Sequence, residues 1–595
     1  MNQRIVTDLQ LSGTGWQALE RTVQRLLVAR GYSRVQHAGA SGDGGADVLA
    51  TRYGRRWLFQ VKRWRNRVGS EVIAETIAAC RRYDAEIPVV VSLSGFEASV
   101  HAQQQQLMAE GVPLQLWDRR ALFRQAALVP PEPLSVRDSE KYQMRSYQMS
   151  ATTQMMGELV NGARSALIVL ATGLGKTFVA AEFYRRFSLA RPYSKTLVLA
   201  HRNELVYQLE RAFWPMIPAS TATGVWNGHE RPDPDSLADL DIVFACVDSV
   251  AGAVSSGRSI PDFGLVIVDE CHHLGTSSYD TVLTELSAGD GGAFLVGMTA
   301  TPWRPDGKTL QKWFDYPIVD IDIVRGLREG YLANVDYRMY TDNINWKALA
   351  AGVSDAGRAL DAPALSPRGL NRTLFIEEWD DAVVARLAEV WREQTRPRGI
   401  VFCGTIDHAE RMAGRINASG FTSAEVIASR TYDGKSIGPA ERNRILWDFA
   451  DGRTGILCAV DVLNEGVDVP DVNIVVFQRV THSRRIFIQQ LGRGLRLSPG
   501  KDRVIVLDFV SDIRRFAAGL DLQDALRPGR TGGDPRVRIG SRVTFMRANQ
   551  EDQQGAQFLR EWLGDLEAIE NAGEDAHILR YPPESALTLV NHETR

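Results

Sequence analysis

The sequence predicts an α/β protein of several domains, built largely on parallel sheets. Short apolar runs alternate with amphipathic helical stretches through most of the chain, which is the pattern of strands joined by crossover helices. The 595 residues exceed what one hydrophobic core needs, and length alone predicts about four domains. The proline-rich run VPPEPLSV separates the first block of elements from the rest.

The first block, residues 1–128, is expected to form an α/β domain of its own, and residues 129–140 a linker. Its first helix begins near Trp16, repeats apolar residues at helical spacing and ends at Gly31. Two strand-like runs follow, ADVLAT and RWLFQVK. A helix (SEVIAETIAACRRY), an apolar strand (IPVVVSL), another helix and the strand VPLQLWD complete the block.

The remainder of the chain divides into four ranges. Residues 141–340 carry the apolar strands SALIVLAT, TLVLAH, DIVFAC, GLVIVDE and AFLVGMT, and residues 372–525 carry GIVFCG, TGILCAV, NIVVFQ and VIVLDF. Residues 341–371 are small, polar and proline-bearing, which indicates an insertion. Residues 526–595 are expected to be a small, α-containing C-terminal extension. The apolar stripe of its helix fits core packing or partner docking: Phe558, Leu559, Trp562, Leu563, Leu566 and Ile569.

Composition narrows the class of protein. The balance of 44% hydrophobic and 24% charged residues is that of a globular protein, and no apolar run is long enough to span a bilayer. Five scattered cysteines form no C-x-x-C pair, which argues against a zinc ribbon or a disulfide framework and favours a reducing cytoplasm. The net charge of −3 means that any nucleic-acid site must be a local basic patch.

The run LATGLGKT predicts a phosphate-binding loop. It follows an apolar strand and precedes a helix, and it ends in Gly173, Gly175, Lys176 and Thr177. Glycines allow backbone N–H groups to approach phosphates at a helix N-terminus, the lysine reaches the β and γ phosphates, and the threonine hydroxyl ligates Mg²⁺. The first glycine of the general pattern is replaced by Leu170, so the loop alone does not settle the function.

A second motif strengthens this interpretation. The run LVIVDECHH places Asp269 and Glu270 at the end of an apolar strand, where one acid can hold Mg²⁺ and the other can orient an attacking water. The alternative, a strand that ends in two solvated acids, does not explain the phosphate loop. The two motifs together predict ATP hydrolysis with Mg²⁺. The adjacent His272 and His273 are expected to pack or to transmit movement rather than bind zinc.

Eight motifs occur in the order of the motor motifs of superfamily 2 helicases, and the chain resembles that family over residues 141–524. They are MRSYQ, ATGLGKT, LVLAHRNELVYQ, VDECHH, GMTATP, IVFCGTIDHAERM, AVDVLNEGVDVP and QQLGRGLR. The resemblance implies two RecA-like lobes with ATP between them. The sequences DECH and TATP are similar to those of type I and type III restriction translocases and RadD-like ATPases, which favours DNA, as duplex, over RNA.

The resemblance also implies a role for individual residues. Gln148 would contact the adenine, with Arg145 and Tyr147 nearby, and Thr299 and Thr301 would link hydrolysis to lobe movement. Lys176 and Thr177 would hold phosphate and Mg²⁺, Asp269 would hold the metal, and Glu270 would orient the water. Residues of the second lobe would contact nucleotide or strand and complete the site on closure: Gly466, Asp468, Gln489, Arg493 and Arg496.

A second candidate site lies in the first block, in the stretch GDGGADVLATRYGRRWLFQVKRW. Gln60 and Lys62 stand two apart on a predicted strand and so share one face, and Asp47 begins the preceding strand. An aspartate and a second oxygen ligand can hold Mg²⁺ while a lysine polarises a phosphodiester. Because the glutamine oxygen is neutral, we expect a further acid, and Glu20 on the first helix is the candidate.

This stretch resembles the Mrr-type restriction endonucleases of the PD-(D/E)xK group, over residues 13–122. The shared features are GDGG before Asp47, Q-x-K at Gln60 and Lys62, and a helix with Glu20. The resemblance implies Mg²⁺-dependent cleavage of DNA. The stretch from Arg52 to Arg67 holds seven positive residues and no acid, which favours contact with phosphates. An ordinary hairpin with solvated ends, or a domain that only binds DNA, remains open.

The expected function is therefore a cytoplasmic, ATP-dependent DNA translocase or helicase joined to an Mg²⁺-dependent endonuclease, acting in restriction or phage defence with DNA and other proteins of the system as partners. No membrane contact is expected. The first alternative is a repair ATPase whose first domain only docks on DNA. The second is an RNA helicase.

Overall fold

A computed structural model describes the following residues of the chain: 5–6, 15–38, 45–286, 288, 292–300, 310–321, 325–326, 329–341, 377–428, 430–431, 434–435, 437–460, 472–478, 497, 501, 503–509, 537–539 and 544–545. The chain divides into two compact units. The first comprises Met1–Asp322 with Gly438–Arg444, and the second comprises Ile323–Ile437 with Ile445–Arg595.

The first unit begins with a five-stranded mixed sheet in the order β1-β2-β3-β4-β5. The first three strands pair antiparallel, whereas β3–β4 and β4–β5 pair parallel. The elements are α1 (Trp16–Ala29), β1 (Ser33–His37), β2 (Val48–Arg52), β3 (Arg55–Lys62), α2 (Glu71–Tyr83), β4 (Ile87–Ser92), α3 (Ala98–Ala109), β5 (Gln115–Trp117) and α4 (Arg119–Ala127).

A two-residue turn sets the register between β2 and β3. Tyr53 and Gly54 have φ values of 52° and 74°, the left-handed pair that a type I′ hairpin requires. The turn pairs Val48 with Phe59 at the end of the ladder, and the Asp47 N–H donates to the Phe59 carbonyl at 3.0 Å. The hairpin therefore brings the expected nuclease residues to one end of the sheet.

The same unit contains a second, seven-stranded sheet in the order β12-β6-β11-β10-β7-β9-β8, with every pair parallel. The strands inside this sheet are buried on both faces, which explains their continuous apolar sequences, whereas the edge strand β12 is partly exposed. The elements are α5 (Leu134–Arg137), α6 (Ser146–Val160), β6 (Ser165–Leu170), α7 (Lys176–Ala190), β7 (Thr196–Ala200), α8 (Asn203–Phe213), β8 (Thr223–Trp226), α9 (Pro234–Ala238), β9 (Ile242–Cys246), α10 (Val247–Ser255), β10 (Leu265–Asp269), α11 (Ser277–Glu285), β11 (Phe294–Thr299) and β12 (Pro317–Ile321), with short 3₁₀ turns at Cys271–His273 and Leu310–Lys312.

The second unit is built on a parallel sheet in the order β15-β16-β14-β17-β18-β13-β19, with β20 also paired to β13. The elements from here to the end of the chain are β13 (Asn334–Thr341), α12 (Glu377–Glu393), β14 (Gly399–Phe402), α13 (Ile406–Ser419), β15 (Ala424–Ile427), α14 (Pro439–Asp451), β16 (Ile456–Ala459), β17 (Ile474–Phe477), β18 (Arg503–Asp508), β19 (Val537–Ile539) and β20 (Thr544–Phe545).

The structure confirms the predicted fold class, and each strand named in the sequence analysis is present in the sheet expected for it. The expected first-lobe range, 141–340, ends inside β13, a strand that pairs with β18 in the sheet of the second unit. The insertion at 341–371, apart from Thr341, and the apolar stripe of the C-terminal extension lie outside the described residues.

Candidate nuclease and ATP sites

The phosphate loop joins β6 to α7. Gly173 and Gly175 have φ values of +93° and +80°, a region that side-chain-bearing residues rarely adopt. A Cβ atom at Gly175 would lie 2.7 Å from Gln148 Nε2, so the position also lacks room for a side chain. Helix α7 begins at the next residue, Lys176, and its unpaired N–H groups face the loop.

Two side chains of α6 hold the loop. The Tyr147 hydroxyl donates to the Leu174 carbonyl at 2.8 Å, and Gln148 Nε2 donates to the same oxygen at 3.0 Å. Gln148 Oε1 accepts from the Arg145 backbone N–H at 3.0 Å. The Gln148 amide is thus satisfied by backbone groups, and its contact with adenine stays a prediction.

The acid pair lies beside the loop because parallel strands end at one edge of the sheet. Strand β10 ends at Asp269, and β11, which lies between β10 and β6, ends at Thr299. Lys176 Nζ is 3.7 Å from Glu270 Oε1. The phosphate loop, the acid pair and Thr299 are therefore neighbours in space although they are distant in sequence.

A buried histidine connects the acid pair to β11. His272 Nδ1 lies 3.2 Å from Glu270 Oε2 and 3.0 Å from Thr299 Oγ1. Glu270 has φ +47°, which is uncommon for a residue with a side chain and indicates that the surrounding contacts fix its orientation. His272 therefore packs and bonds between the two motifs, as the sequence predicted.

Asp269 fits the expected role of metal ligand. Its Oδ1 atom is buried and accepts no hydrogen bond from the part of the chain that the structure describes. Burial and the neighbouring Glu270 carboxylate raise the pKa of Asp269 to about 7, against the opposing effect of Lys176. A buried carboxylate oxygen without a donor costs free energy that a bound cation would recover, so this residue and Thr177 suit Mg²⁺ with a nucleotide.

The nuclease residues converge at the β2–β3 end of the first sheet. Asp47 Oδ2 accepts from the Val61 backbone N–H at 2.5 Å, which fixes the carboxylate against β3. Gln60 Nε2 and Lys62 Nζ approach the same atom, Glu75 Oε2, at 2.9 Å and 3.4 Å. Gln60 and Lys62 therefore share a face, as their spacing predicted, and that face meets α2.

Glu75 is a residue that the sequence analysis missed. It lies on α2 next to Thr76, whose hydroxyl contacts both the Val72 carbonyl and the Gln60 amide. The available signal was a carboxylate one helical turn from Val72 and next to the buried Thr76, on the helix that follows Q-x-K. Oxygen donors from Asp47, Gln60 and Glu75 are the ligand type that Mg²⁺ prefers.

Glu20 is buried, and its carboxylate contacts a histidine. Its Oε2 atom lies 2.8 Å from Nε2 of His37, which pairs with Val48 in the sheet, next to Asp47. Among the residues that the structure describes, no group of three or more His, Cys, Asp and Glu side chains is arranged to hold a metal ion. The role of Glu20 as a metal ligand stays a prediction.

Only part of the basic stretch from Arg52 to Arg67 lies at the surface. Arg56 is 6% exposed and donates to the Tyr83 carbonyl at 3.1 Å, and Arg55 pairs with Glu86 at 3.0 Å. Arg56 therefore belongs to the folded interior, whereas Arg55 forms an ion pair at the surface. Arg65 and Arg67, in the loop between β3 and α2, are exposed and lie close in sequence to Lys62. The loop is therefore the part of the stretch suited to phosphates.

Several residues expected in the motor fall outside the described part of the chain: Thr301, Gly466, Asp468, Gln489, Arg493 and Arg496. Their roles stay predictions from the sequence motifs.

Three protein families match successive parts of the chain. The restriction endonuclease family of the Mrr catalytic type matches residues 11–125. The family described as type III restriction enzyme, res subunit, matches residues 141–304, and the helicase conserved C-terminal domain matches residues 382–498. The matched ranges contain the β2–β3 site, the first-lobe motifs and most of the second-lobe motifs, respectively.

Individual relatives agree with these matches. Over 422 residues the chain is 28% identical to the type I restriction enzyme EcoAI endonuclease subunit of Escherichia coli, covering 68% of this chain and 51% of that protein. It is 28% identical over 385 residues to the DNA 3'-5' translocase XPB2 of Sulfurisphaera tokodaii, covering 60% and 79%. This chain thus spans about half the length of the EcoAI subunit.

A solved structure shares the fold. The ATP-dependent type ISP restriction-modification enzyme LlaBIII bound to DNA superposes with a TM-score of 0.50 at 15% identity, covering 94% of this chain and 42% of that chain. No helix within the described ranges is long and apolar enough to cross a membrane.

Proposed function

We propose that this chain, which joins an Mrr-type restriction endonuclease domain to the two domains of a superfamily 2 helicase, is an ATP-driven DNA translocase that also cleaves DNA with Mg²⁺. The observation that carries the proposal is that two sets of candidate residues lie in one compact unit. One set surrounds the phosphate loop, and the other lies at the β2–β3 end of the first sheet. Restriction or phage defence is the setting that joins these two activities.

The motor set supports nucleotide hydrolysis. Lys176 and the first N–H groups of α7 would bind the phosphates, and Glu270 would orient the attacking water while Lys176 and His272 hold its carboxylate. Mg²⁺ bound by Thr177 and Asp269 would neutralise charge on the β and γ phosphates. The contact between His272 and Thr299 would transmit a change at Glu270 to the end of β11.

The nuclease set supports phosphodiester hydrolysis. Lys62 would place its ammonium on the scissile phosphate, and Asp47, fixed by the Val61 N–H, would hold a divalent cation in one orientation. The cation would activate water and stabilise the charge that develops on the phosphate. Arg65 and Arg67 would contact neighbouring phosphates of the strand.

Two alternatives share the motor but not the cleavage or the substrate. In the first, the Mrr-type domain only docks on DNA. In the second, RNA is the substrate. The presence of both Asp47 and Lys62 at one end of the sheet favours cleavage over docking, since docking alone requires neither.

The test uses the purified full chain with labelled duplex DNA, single strands and RNA, each with Mg²⁺ and with or without ATP. The proposal expects ATP turnover stimulated by duplex DNA and cleavage of DNA that is lost in Asp47→Asn. ATP turnover on DNA without cleavage would support the docking alternative. Stimulation by RNA alone would overturn the assignment of DNA as the substrate.

A further inference from the structure

We propose that Glu75 is a metal-ligating residue of the nuclease site and supplies the negative charge that Gln60 lacks. The inference rests on the proposed nuclease function and adds a residue to that site. In this chain the acid would come from helix α2 rather than from strand β3.

The hydrogen-bond count concerns Thr76. Its hydroxyl has a single proton, and Oγ1 lies 2.7 Å from the Val72 carbonyl oxygen while it also contacts Gln60 Oε1. One proton cannot be donated to both oxygens. A half-turn of the Gln60 amide resolves the conflict: Nε2 then donates to Thr76 Oγ1, which donates its proton to Val72.

That half-turn moves Gln60 Oε1 to the position now held by Nε2, 2.9 Å from Glu75 Oε2. Two oxygen acceptors at this separation repel each other unless a cation or a proton lies between them. With Mg–O bonds of about 2.0–2.1 Å, neighbouring oxygens of an octahedral site lie about 2.8–3.0 Å apart. The pair therefore has the spacing of two adjacent ligands of one ion.

The Gln60 amide thus has two orientations. The first satisfies Glu75 at the expense of the Thr76 contact, and the second satisfies Thr76 but requires a cation beside Glu75. Without a cation, its NH₂ group donates to Glu75, and Lys62 Nζ holds the same carboxylate at 3.4 Å. With a cation, its oxygen and the Glu75 carboxylate face the ion together. Strand β3 offers a neutral oxygen at Gln60, and the carboxylate of Glu75 restores the charge expected of a glutamate at that position.

The glycine-rich approach to Asp47 fits the same arrangement. Gly45 has φ +99°, and a Cβ atom there would lie 2.7 Å from Gln60 Nε2 and 3.2 Å from Glu75 Cβ. The backbone at Gly45 thus lies against both residues, and a side chain there would displace Gln60 or Glu75. This explains why a glycine stands two residues before the metal aspartate.

The test measures Mn²⁺ binding by the full chain without nucleotide, by electron paramagnetic resonance of the free ion. Mn²⁺ binding that the parent protein shows and Asp47→Asn lacks is assigned to the nuclease site. Glu75→Gln should weaken binding at that site at least about 10-fold. Glu71→Gln removes the same charge one helical turn away, on an exposed residue, and should leave the affinity unchanged.

A double variant separates ligation from packing. Gln60→Glu combined with Glu75→Gln moves the carboxylate from α2 to β3 and should restore the affinity to within a few-fold of the parent, with cleavage recovering in parallel. Parent-like affinity in Glu75→Gln, or a double variant as weak as the single one, would overturn the proposal. Unchanged binding in Asp47→Asn would instead overturn the nuclease assignment on which it rests.

Discussion

Glu20 and Arg21 are consecutive on α1, yet their side chains contact different domains. Glu20 Oε2 lies 2.8 Å from His37 Nε2 in the nuclease sheet, whereas Arg21 Nη1 lies 2.7 Å from Glu210 Oε1 on α8 of the first lobe. Arg21 Nη2 also lies 2.5 Å from Glu230 Oε2. The helix that carries a candidate nuclease acid is thus fastened directly to the motor lobe.

Arg21→Ala should destabilise the first unit strongly. Glu210 and Glu230 have side chains only 1% and 6% exposed, so removing the guanidinium leaves two buried carboxylates without their partner. Breaking a buried ion pair in this way costs about 3–5 kcal/mol. Arg81→Ala removes an exposed arginine of α2 and should change the unfolding free energy by less than about 0.5 kcal/mol in denaturant titration. Equal stability of the two variants would contradict the buried network.

Lys176→Ala should reduce DNA-stimulated ATP turnover by at least about 10²-fold, because it removes the one side-chain ammonium expected at the phosphates. Metal binding at the nuclease site should stay at the parent level. Lys312→Ala, which removes an exposed partner of Asp280 in the same lobe, is the matched control and should retain turnover. Parent-like turnover in Lys176→Ala would refute the assignment of the phosphate loop.

Gly175→Ala should abolish nucleotide binding. The new Cβ would lie 2.7 Å from Gln148 Nε2 and displace the amide that holds the loop, and φ +80° strains any residue with a side chain, so the loop N–H groups should lose their orientation. Gly157→Ala, on α6, meets no heavy atom within 4 Å and should stabilise the protein by up to about 1 kcal/mol. Fluorescent-nucleotide titration of both variants measures the difference. Normal nucleotide affinity in Gly175→Ala would show that the loop does not hold phosphates.

The parts of the fold that were predictable are the buried ones. β6 and β10 each lie between two other strands and are buried. Their sequences are therefore unbroken apolar runs. Of the strands that the sequence did not reveal, β1, β8, β12, β15 and β19 lie at an edge of their sheet. Strand β13 lies inside its sheet, but apolar and polar residues alternate along it.

The candidate sites divide in the same way. Lys176 and Asp269 belong to local motifs whose residues and positions along the chain indicate an ATP site, so they were predictable. Glu75 acquires its contacts only when α2 packs on β3, and Arg56 is removed from the surface by its bond to Tyr83. Such assignments depend on tertiary packing, which no local pattern records.

The two activities should be separable by single substitutions at Asp47 and Lys62. Asp47→Asn keeps an amide oxygen for the Val61 N–H and removes only the charge, and Lys62→Met keeps most of the apolar stem. Each should lower strand cleavage at least about 10²-fold on labelled duplex DNA while DNA-stimulated ATP turnover stays near the parent level.

Gln60→Glu is the companion test of the same site. It should preserve cleavage, because a second carboxylate at the metal is tolerated where Mg²⁺ binds, and it should alter the preference between Mg²⁺ and Mn²⁺. Undiminished cleavage in Asp47→Asn would place the nuclease elsewhere in the chain. Loss of ATP turnover in both Asp47→Asn and Lys62→Met would mean that the nuclease site and the motor are not chemically independent.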